Sequence, residues 1–305
     1  MTLLSVSGLN VRFRIGKDTF HAVKDFGITV GDNERIAIVG ESGSGKSVIA
    51  SAIFGILERN ASCDGTITFD GKDLTSLSRK EFDRLRSREM VLIPQNVSQA
   101  WDPLMKIGPQ MTEFITSAGY SKQEASDRAR QFLSKCGFED PDYIMDTYPH
   151  RLSGGMCQRA MIAMCMSVGP RLVIADEPTK GLDEEVCENV LELLLSGEWN
   201  TSILMITHDL NTASRCDRMM VMYGGRYVES GATKEILENP MHPYTIGLLE
   251  SHPSRGLKPI PFGTRAVSPE ECSFANRCVH ACPECTNQCF TYGNREVRCH
   301  RIGDI

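Results

Sequence analysis

Residues 40–47 read Gly-Glu-Ser-Gly-Ser-Gly-Lys-Ser, the spacing G-x-x-x-x-G-K-[ST] of a loop that cradles phosphate. Each residue type has a physical task there. Gly40, Gly43 and Gly45 let the backbone turn tightly and present its N–H groups to an anion. Lys46 supplies a point charge for β- and γ-phosphates, and Ser47 a hard hydroxyl oxygen for Mg²⁺, with Glu41, Ser42 and Ser44 completing the loop. A second concentration of chemistry lies near the other end of the chain. Cys63, Cys136, Cys157, Cys165, Cys187 and Cys216 are dispersed, whereas Cys272, Cys278, Cys282, Cys285, Cys289 and Cys299 crowd together. Dispersed cysteines behave as small apolar residues; a cluster in a reducing compartment indicates metal rather than disulfides.

The phosphate loop needs a strand to deliver it and a helix to receive it. Arg35–Val39 is a short apolar run suited to a buried parallel strand, and Ser47–Leu57 reads as a helix whose N-terminus faces the phosphates. Met90–Ile93, Leu172–Ala175 and Ile203–Thr207 are further buried-strand runs, with helical stretches at Asp127–Cys136 and Val186–Leu195. This alternation predicts an α/β fold with a mainly parallel sheet. Residues 1–30 and 64–72 alternate in period two between glycine turns and predict an antiparallel portion, while 97–170 lacks strand signals and reads as helical.

Composition narrows the class. A chain of 305 residues with 41% hydrophobic and 24% charged content can hold one large α/β domain and something smaller. The net charge of −6 argues against nucleic acid as a partner. No apolar run is long enough to span a membrane, and the N-terminus lacks the basic and apolar regions of a secretory signal. The expected location is cytoplasmic, with membrane contact made through a partner. Pro253 to Pro269 is rich in Pro and Gly and reads as a linker, which divides the chain into 1–252 and a cysteine-rich 253–305.

A phosphate loop alone indicates only a nucleotide. Leu152-Ser153-Gly154-Gly155, followed by Gln158-Arg159, offers a hydroxyl and backbone N–H groups at a helix start, a second anion site. The combination resembles the signature motif of the ATP-binding-cassette (ABC) ATPases. The resemblance implies a P-loop NTPase core with a RecA-like parallel sheet, an antiparallel β portion, a helical subdomain at about 97–170 and the small C-terminal extension. It also implies that Ser153, Gly154, Gly155 and Gln158 face the ATP bound by a partner subunit, with Asp183 of Gly-Leu-Asp at the subunit interface. Leu172–Pro178 is similar to the Walker B strand. Asp176 would then orient the Mg²⁺ shell, and Glu177 would act as general base or polarise the attacking water. Gln95 resembles the Q-loop residue at the Mg²⁺–water shell, and His208 of Ile-Thr-His-Asp the switch histidine of the γ-phosphate. Phe13 falls at the adenine-stacking register and is equally compatible with a core position.

Beyond the switch, Gly225–Gly231 and Glu238-Asn239-Pro240-Met241-His242-Pro243-Tyr244-Thr245 resemble the oligopeptide/dipeptide/nickel importer branch. Pro149-His150, Asp102-Pro103, Ile107-Gly108 and Gln110 agree with that branch; Cys157 and Thr179-Lys180-Gly181 depart from it without removing a catalytic group. The branch carries a cysteine-bearing extension, associated in some members with a [4Fe-4S] cluster, and Cys272, Cys278, Cys285 and Cys299 match its four cysteines. Cys282 and Cys289 are additional and create a denser spacing that could itself ligate a cluster. The family set is favoured, and Zn²⁺, with His280 and His300 as spare ligands, is the alternative.

The implied function is ATP binding and hydrolysis in an importer for peptides, nickel or a similar small solute. The implied partners are a second ATPase subunit in a heterodimer, two permeases and an extracytoplasmic solute-binding protein, with the chain held peripherally on the inner membrane face. The alternative is a soluble ABC ATPase subunit outside transport, in a phosphonate-processing or remodelling complex.

Overall fold

The computed structural model describes residues 1–263, 267–268 and 270–302, so residues 264–266 and 269 of the expected linker, and 303–305 of the expected extension, lie outside the described residues. The chain forms two compact units. One comprises Gly31–Glu34 with Met1, together with Asp73–Leu204; the other comprises Thr2–Val30, Arg35–Lys72 and the chain from Met205 onward. The division falls inside the strand Ser202–Thr207, every residue of which is buried.

The unit built on 73–204 is mostly helical. Its strands Met90–Ile93 and Leu172–Asp176 pair in parallel, from Met90 opposite Leu172 to Ile93 opposite Ala175. Helices occupy Val97–Ala100, Ile107–Ser117, Lys122–Lys135, Pro141–Met145 and Gly154–Met166, as the absence of strand signals predicts. The Lys122–Lys135 helix starts at a capping box in which Ser121 and Glu124 satisfy each other's backbone N–H groups. Its Ala125, Ala129, Phe132 and Leu133 recur at helical spacing and are buried. The helix read at Val186–Leu195 begins at Glu184, because Asp183 caps it.

The other unit contains an antiparallel sheet and a mixed one. Thr2–Ile15 lies between Asp18–Gly31 and Ala61–Phe69, pairing Leu4 with Phe69 at one end and Phe13 with Ala61 at the other, with a one-residue shift of register between Ser7 and Asn10. Arg35–Gly40 pairs in parallel with Arg218–Tyr223, Ile36 opposite Arg218 and Gly40 opposite Met222. Arg218–Tyr223 pairs antiparallel with Arg226–Ala232, which in turn meets Arg295–Val297 and then Phe290–Tyr292. The cysteine-bearing segment therefore adds two strands to the sheet that carries the phosphate loop. The helix after that loop runs Lys46–Ile53 and stops short of the expected Leu57. Gly55 takes a left-handed φ of 60° and turns the chain away.

Candidate functional site

The phosphate loop is held from below. Ile36–Gly40 is buried throughout, and Gly40 passes so close to the neighbouring strand that a Cβ there would meet the Met222 carbonyl oxygen at 2.2 Å. Gly45 has φ +100°, and a Cβ on it would lie 2.5 Å from the Ala22 oxygen. Only glycine fits both places. Lys46 is buried, and its ammonium donates to the carbonyls of Gly40 at 2.7 Å and Glu41 at 3.0 Å. These bonds draw the ammonium across the loop, where it satisfies carbonyls that would otherwise face an anion. Ser44 is buried and its carbonyl accepts from Gly225 N–H at 3.2 Å.

Glu41 has further partners. Its N–H donates to the Tyr244 hydroxyl at 3.1 Å, and its carboxylate receives Arg277 Nη1 at 3.2 and 2.9 Å. Tyr244 is fully buried, and burial raises its phenol well above the usual range, so the hydroxyl stays protonated. In the same unit, His208 is exposed at the end of its strand, while Asp209 caps the helix Leu210–Ser214 through Asn211 and Thr212. Phe13 is half-buried on its strand rather than in the core, which leaves ring surface for stacking.

The remaining residues of the nucleotide motifs belong to the helical unit. Asp176 ends the buried Leu172–Asp176 strand, and both it and Glu177 are buried. Glu177 adopts φ 50°, a left-handed conformation that costs a non-glycine residue roughly 1–2 kcal/mol. Gln95 is half-buried just past the Met90–Ile93 strand. Ser153 caps the Gly154–Met166 helix, its hydroxyl accepting from Met156 N–H at 3.2 Å, and Ser153 and Gly154 are exposed. A Cβ on Gly155 would lie 2.5 Å from Val186 Cγ1 on the helix that Asp183 caps. The signature turn and the Asp183 turn are thus packed together. Gln158 is buried one turn on, and its Nε2 has no hydrogen-bond partner. Cys157 points inward, its thiol donating to the Pro149 carbonyl at 3.5 Å.

The cysteine-bearing segment encloses a cavity of about 20 Å³. Its lining includes Cys272, Cys278, Cys285 and Cys299, the set expected from the sequence, together with His280 and His300. Burial pushes the Cys272 thiol up to about 11 and raises Cys278 and Cys299 as well. Cys289 is not among the lining residues; its sulfur receives the Tyr227 hydroxyl at 3.5 Å. Cys282 Sγ lies 3.5 Å from Cys285 Sγ and 3.6 Å from His300 Nε2. Among the described residues these three form the close group of potential metal ligands, all within 4.8 Å of one another.

Sequence reasoning missed Tyr223, Tyr244 and Arg277 as supports of the loop. Tyr244 lies in a stretch whose sequence signal is its resemblance to the importer branch. A lone Arg before Cys278 carries no local signal, because its partner is 236 positions away.

Comparison with known proteins agrees with this arrangement. The ABC transporter family matches residues 23–180, and the oligopeptide/dipeptide transporter C-terminal region matches residues 228–285. The oligopeptide transport ATP-binding protein AppD of Bacillus subtilis is 40% identical across 98% of this chain and 96% of its own length. The dipeptide transport ATP-binding protein DppD of Haemophilus influenzae is 37% identical across 98% and 96%. Among solved structures, cbiO1 from Clostridium perfringens superposes with a TM-score of 0.67 at 27% identity, over 82% of this chain and 94% of its own. The dimeric bacterial cassette MJ0796 shares the fold, with a TM-score of 0.68 at 23% identity over 76% of this chain and 99% of its own. This chain therefore belongs to the ABC transporter family, as an ATP-binding, ATP-hydrolysing subunit of its oligopeptide/dipeptide branch.

Proposed function

We propose that this chain drives peptide import, with Gly40–Ser47 holding the triphosphate of Mg²⁺–ATP and Phe13 stacking on the base. Ser47, Asp176 and Gln95 serve the Mg²⁺ shell, Glu177 polarises the attacking water and His208 contacts the γ-phosphate. The observation that carries the reading is Lys46, buried in the loop with its ammonium on the carbonyls of Gly40 and Glu41, bonds that a phosphate can replace. Ser153, Gly154, Gly155 and Gln158 serve the ATP of a second ATPase subunit, with Asp183 at the junction. The exposure of Ser153 and Gly154 at a helix N-terminus supports this. An isolated monomer then hydrolyses ATP poorly.

The relatives named for oligopeptide and dipeptide transport support peptides as the solute class over nickel, and import over a soluble remodelling role. The partners are a second, different ATPase subunit, two permeases and a solute-binding protein, which place the chain on the inner membrane face. Among the described residues no helix is long and apolar enough to cross a membrane. The test is affinity purification of the tagged chain from detergent-solubilised membranes. Integral permeases in stoichiometric amount are expected; recovery only with soluble proteins contradicts the import reading.

Residues 253–305 form the branch's C-terminal extension and hold a metal. Four thiols lining one cavity are the soft donor set by which a [4Fe-4S] cluster is ligated, and on this reading Cys272, Cys278, Cys285 and Cys299 hold it. A second reading has its own observation. The 3.5 Å and 3.6 Å separations among Cys282, Cys285 and His300 match edges of a tetrahedron around Zn²⁺ with bonds of about 2.3 Å to sulfur and 2.0–2.1 Å to nitrogen.

A further inference from the structure

The cysteine-bearing segment reaches the phosphate loop itself. Arg277 immediately precedes Cys278, and its Nη1 meets both carboxylate oxygens of Glu41, the second residue of the loop. The guanidinium is fixed on its other sides. Nε donates to the Pro261 carbonyl at 2.7 Å, Nη1 also reaches the Tyr223 hydroxyl at 3.4 Å, and the group lies over the rings of Tyr223 and Phe274. Those rings contact Tyr244, with centroids 4.7 and 5.4 Å from it, and Tyr244 accepts the Glu41 N–H. Glu41 is thus gripped at its backbone by Tyr244 and at its side chain by Arg277.

The grip has an electrostatic consequence. Glu41 is a fixed negative charge in a loop built to receive a polyanion, and an unpaired carboxylate there repels the phosphates. The carbonyl of the same residue also holds Lys46, so any drift of Glu41 moves the ammonium that binds them. The Arg277 side chain is 16% exposed and that of Glu41 40%, so the guanidinium is largely shielded while the carboxylate keeps one side open to solvent.

We infer that Arg277 is a positioning residue of the nucleotide site, supplied by the C-terminal extension, which neutralises Glu41 and fixes the loop for the triphosphate of ATP. The inference rests on the loop binding ATP, and its test separates the two. Equilibrium binding of a fluorescent ATP analogue with Mg²⁺ is measured on the full chain, purified with its native metal content, for wild type, Arg277→Gln, Arg277→Lys, Glu41→Gln and Arg277→Gln/Glu41→Gln. Arg277→Gln should weaken binding roughly three- to tenfold, and Arg277→Lys less. Glu41→Gln in the Arg277→Gln background should restore most of the loss, because the unpaired carboxylate is then gone. A merely structural arginine predicts no such rescue. Unchanged affinity in Arg277→Gln, or a double variant as weak as Arg277→Gln alone, overturns the inference. A wild-type protein that binds no nucleotide refutes the ATP site beneath it.

Discussion

Glu229 and Arg295 form an ion pair buried on both sides, with side-chain exposures of 0% and 5%. Glu229 lies on the Arg226–Ala232 strand and Arg295 in the cysteine-bearing segment, on the strand hydrogen-bonded beside it. The carboxylate also accepts the N–H groups of Met241 at 3.0 Å and His242 at 2.9 Å, and Arg295 Nη1 donates to the Asn239 carbonyl at 2.8 Å. One carboxylate therefore ties the extension to the Asn-Pro-Met-His-Pro-Tyr turn that carries Tyr244. Glu229→Gln removes the charge and leaves Arg295 buried without it. The expected cost is about 3–5 kcal/mol in urea unfolding, the usual penalty for breaking one side of a buried pair. Replacing both residues with apolar ones of similar size should cost less than the single change. A cost under about 1 kcal/mol for Glu229→Gln contradicts this account.

His242 supplies a pH dependence. It is fully buried, and burial lowers its pKa to about 3. Its Nδ1 accepts the Tyr244 N–H at 3.0 Å, which requires that nitrogen unprotonated. The unfolded chain binds a proton near the ordinary value of 6.5 and the folded chain does not, so the contribution is complete above 6.5. It is lost as pH falls from there toward 3, at up to about 1.4 kcal/mol per unit. His242→Asn keeps a capping acceptor without titrating in this range. The variant's stability should fall less steeply between pH 6.5 and 4 than that of wild type; equal slopes would sink the assignment.

Gly155 admits no side chain beside Val186. Gly155→Ala should destabilise the helical unit by about 1–3 kcal/mol, the range for overpacking, and displace the signature turn from the Asp183 turn. Valine is stiff at χ1 and cannot swing away. Adding Val186→Ala should recover most of the stability. If the double variant is no better than the single one, the contact is not the cause.

The thiol cavity predicts bound metal. Chain purified without oxygen should carry iron and acid-labile sulfide in equal amounts, close to four of each per chain for a [4Fe-4S] cluster. Cys272→Ser should lose them, while Cys289→Ser should keep them, since Cys289 lies off the cavity. Binding must displace thiol protons, and Cys272 starts from about 11, so loading should weaken as pH falls. One zinc and no sulfide, lost in Cys282→Ser and His300→Gln, would replace the cluster by the zinc reading.

The nucleotide motifs are legible in the sequence because each position answers a local need. Gly40 and Gly45 stand where a Cβ has no room, Asp183 and Ser153 cap the helices that follow them, and the buried strands before the phosphate loop and ending at Asp176 are continuous apolar runs. The strands Arg218–Tyr223 and Arg226–Ala232 escaped reading. The first is rich in methionine rather than β-branched residues, and the second mixes Glu229 and Ser230 into a buried stretch. Glu229 is tolerable there because Arg295 reaches it from 66 positions away and the Met241 and His242 N–H groups meet its carboxylate. Arg277 and Glu41 are hidden for the same reason: the pairing depends on the completed fold.

The most direct measurement is ATP binding and steady-state turnover in Glu177→Gln, made on the chain assembled with its partner subunits. Glu177 is buried at the end of the Asp176 strand in a left-handed backbone conformation that the fold holds against its strain. If it polarises the attacking water, the variant binds Mg²⁺–ATP as wild type does and loses turnover by roughly 10²–10³ or more. Hydrolysis at the wild-type rate, with binding unchanged, contradicts the account.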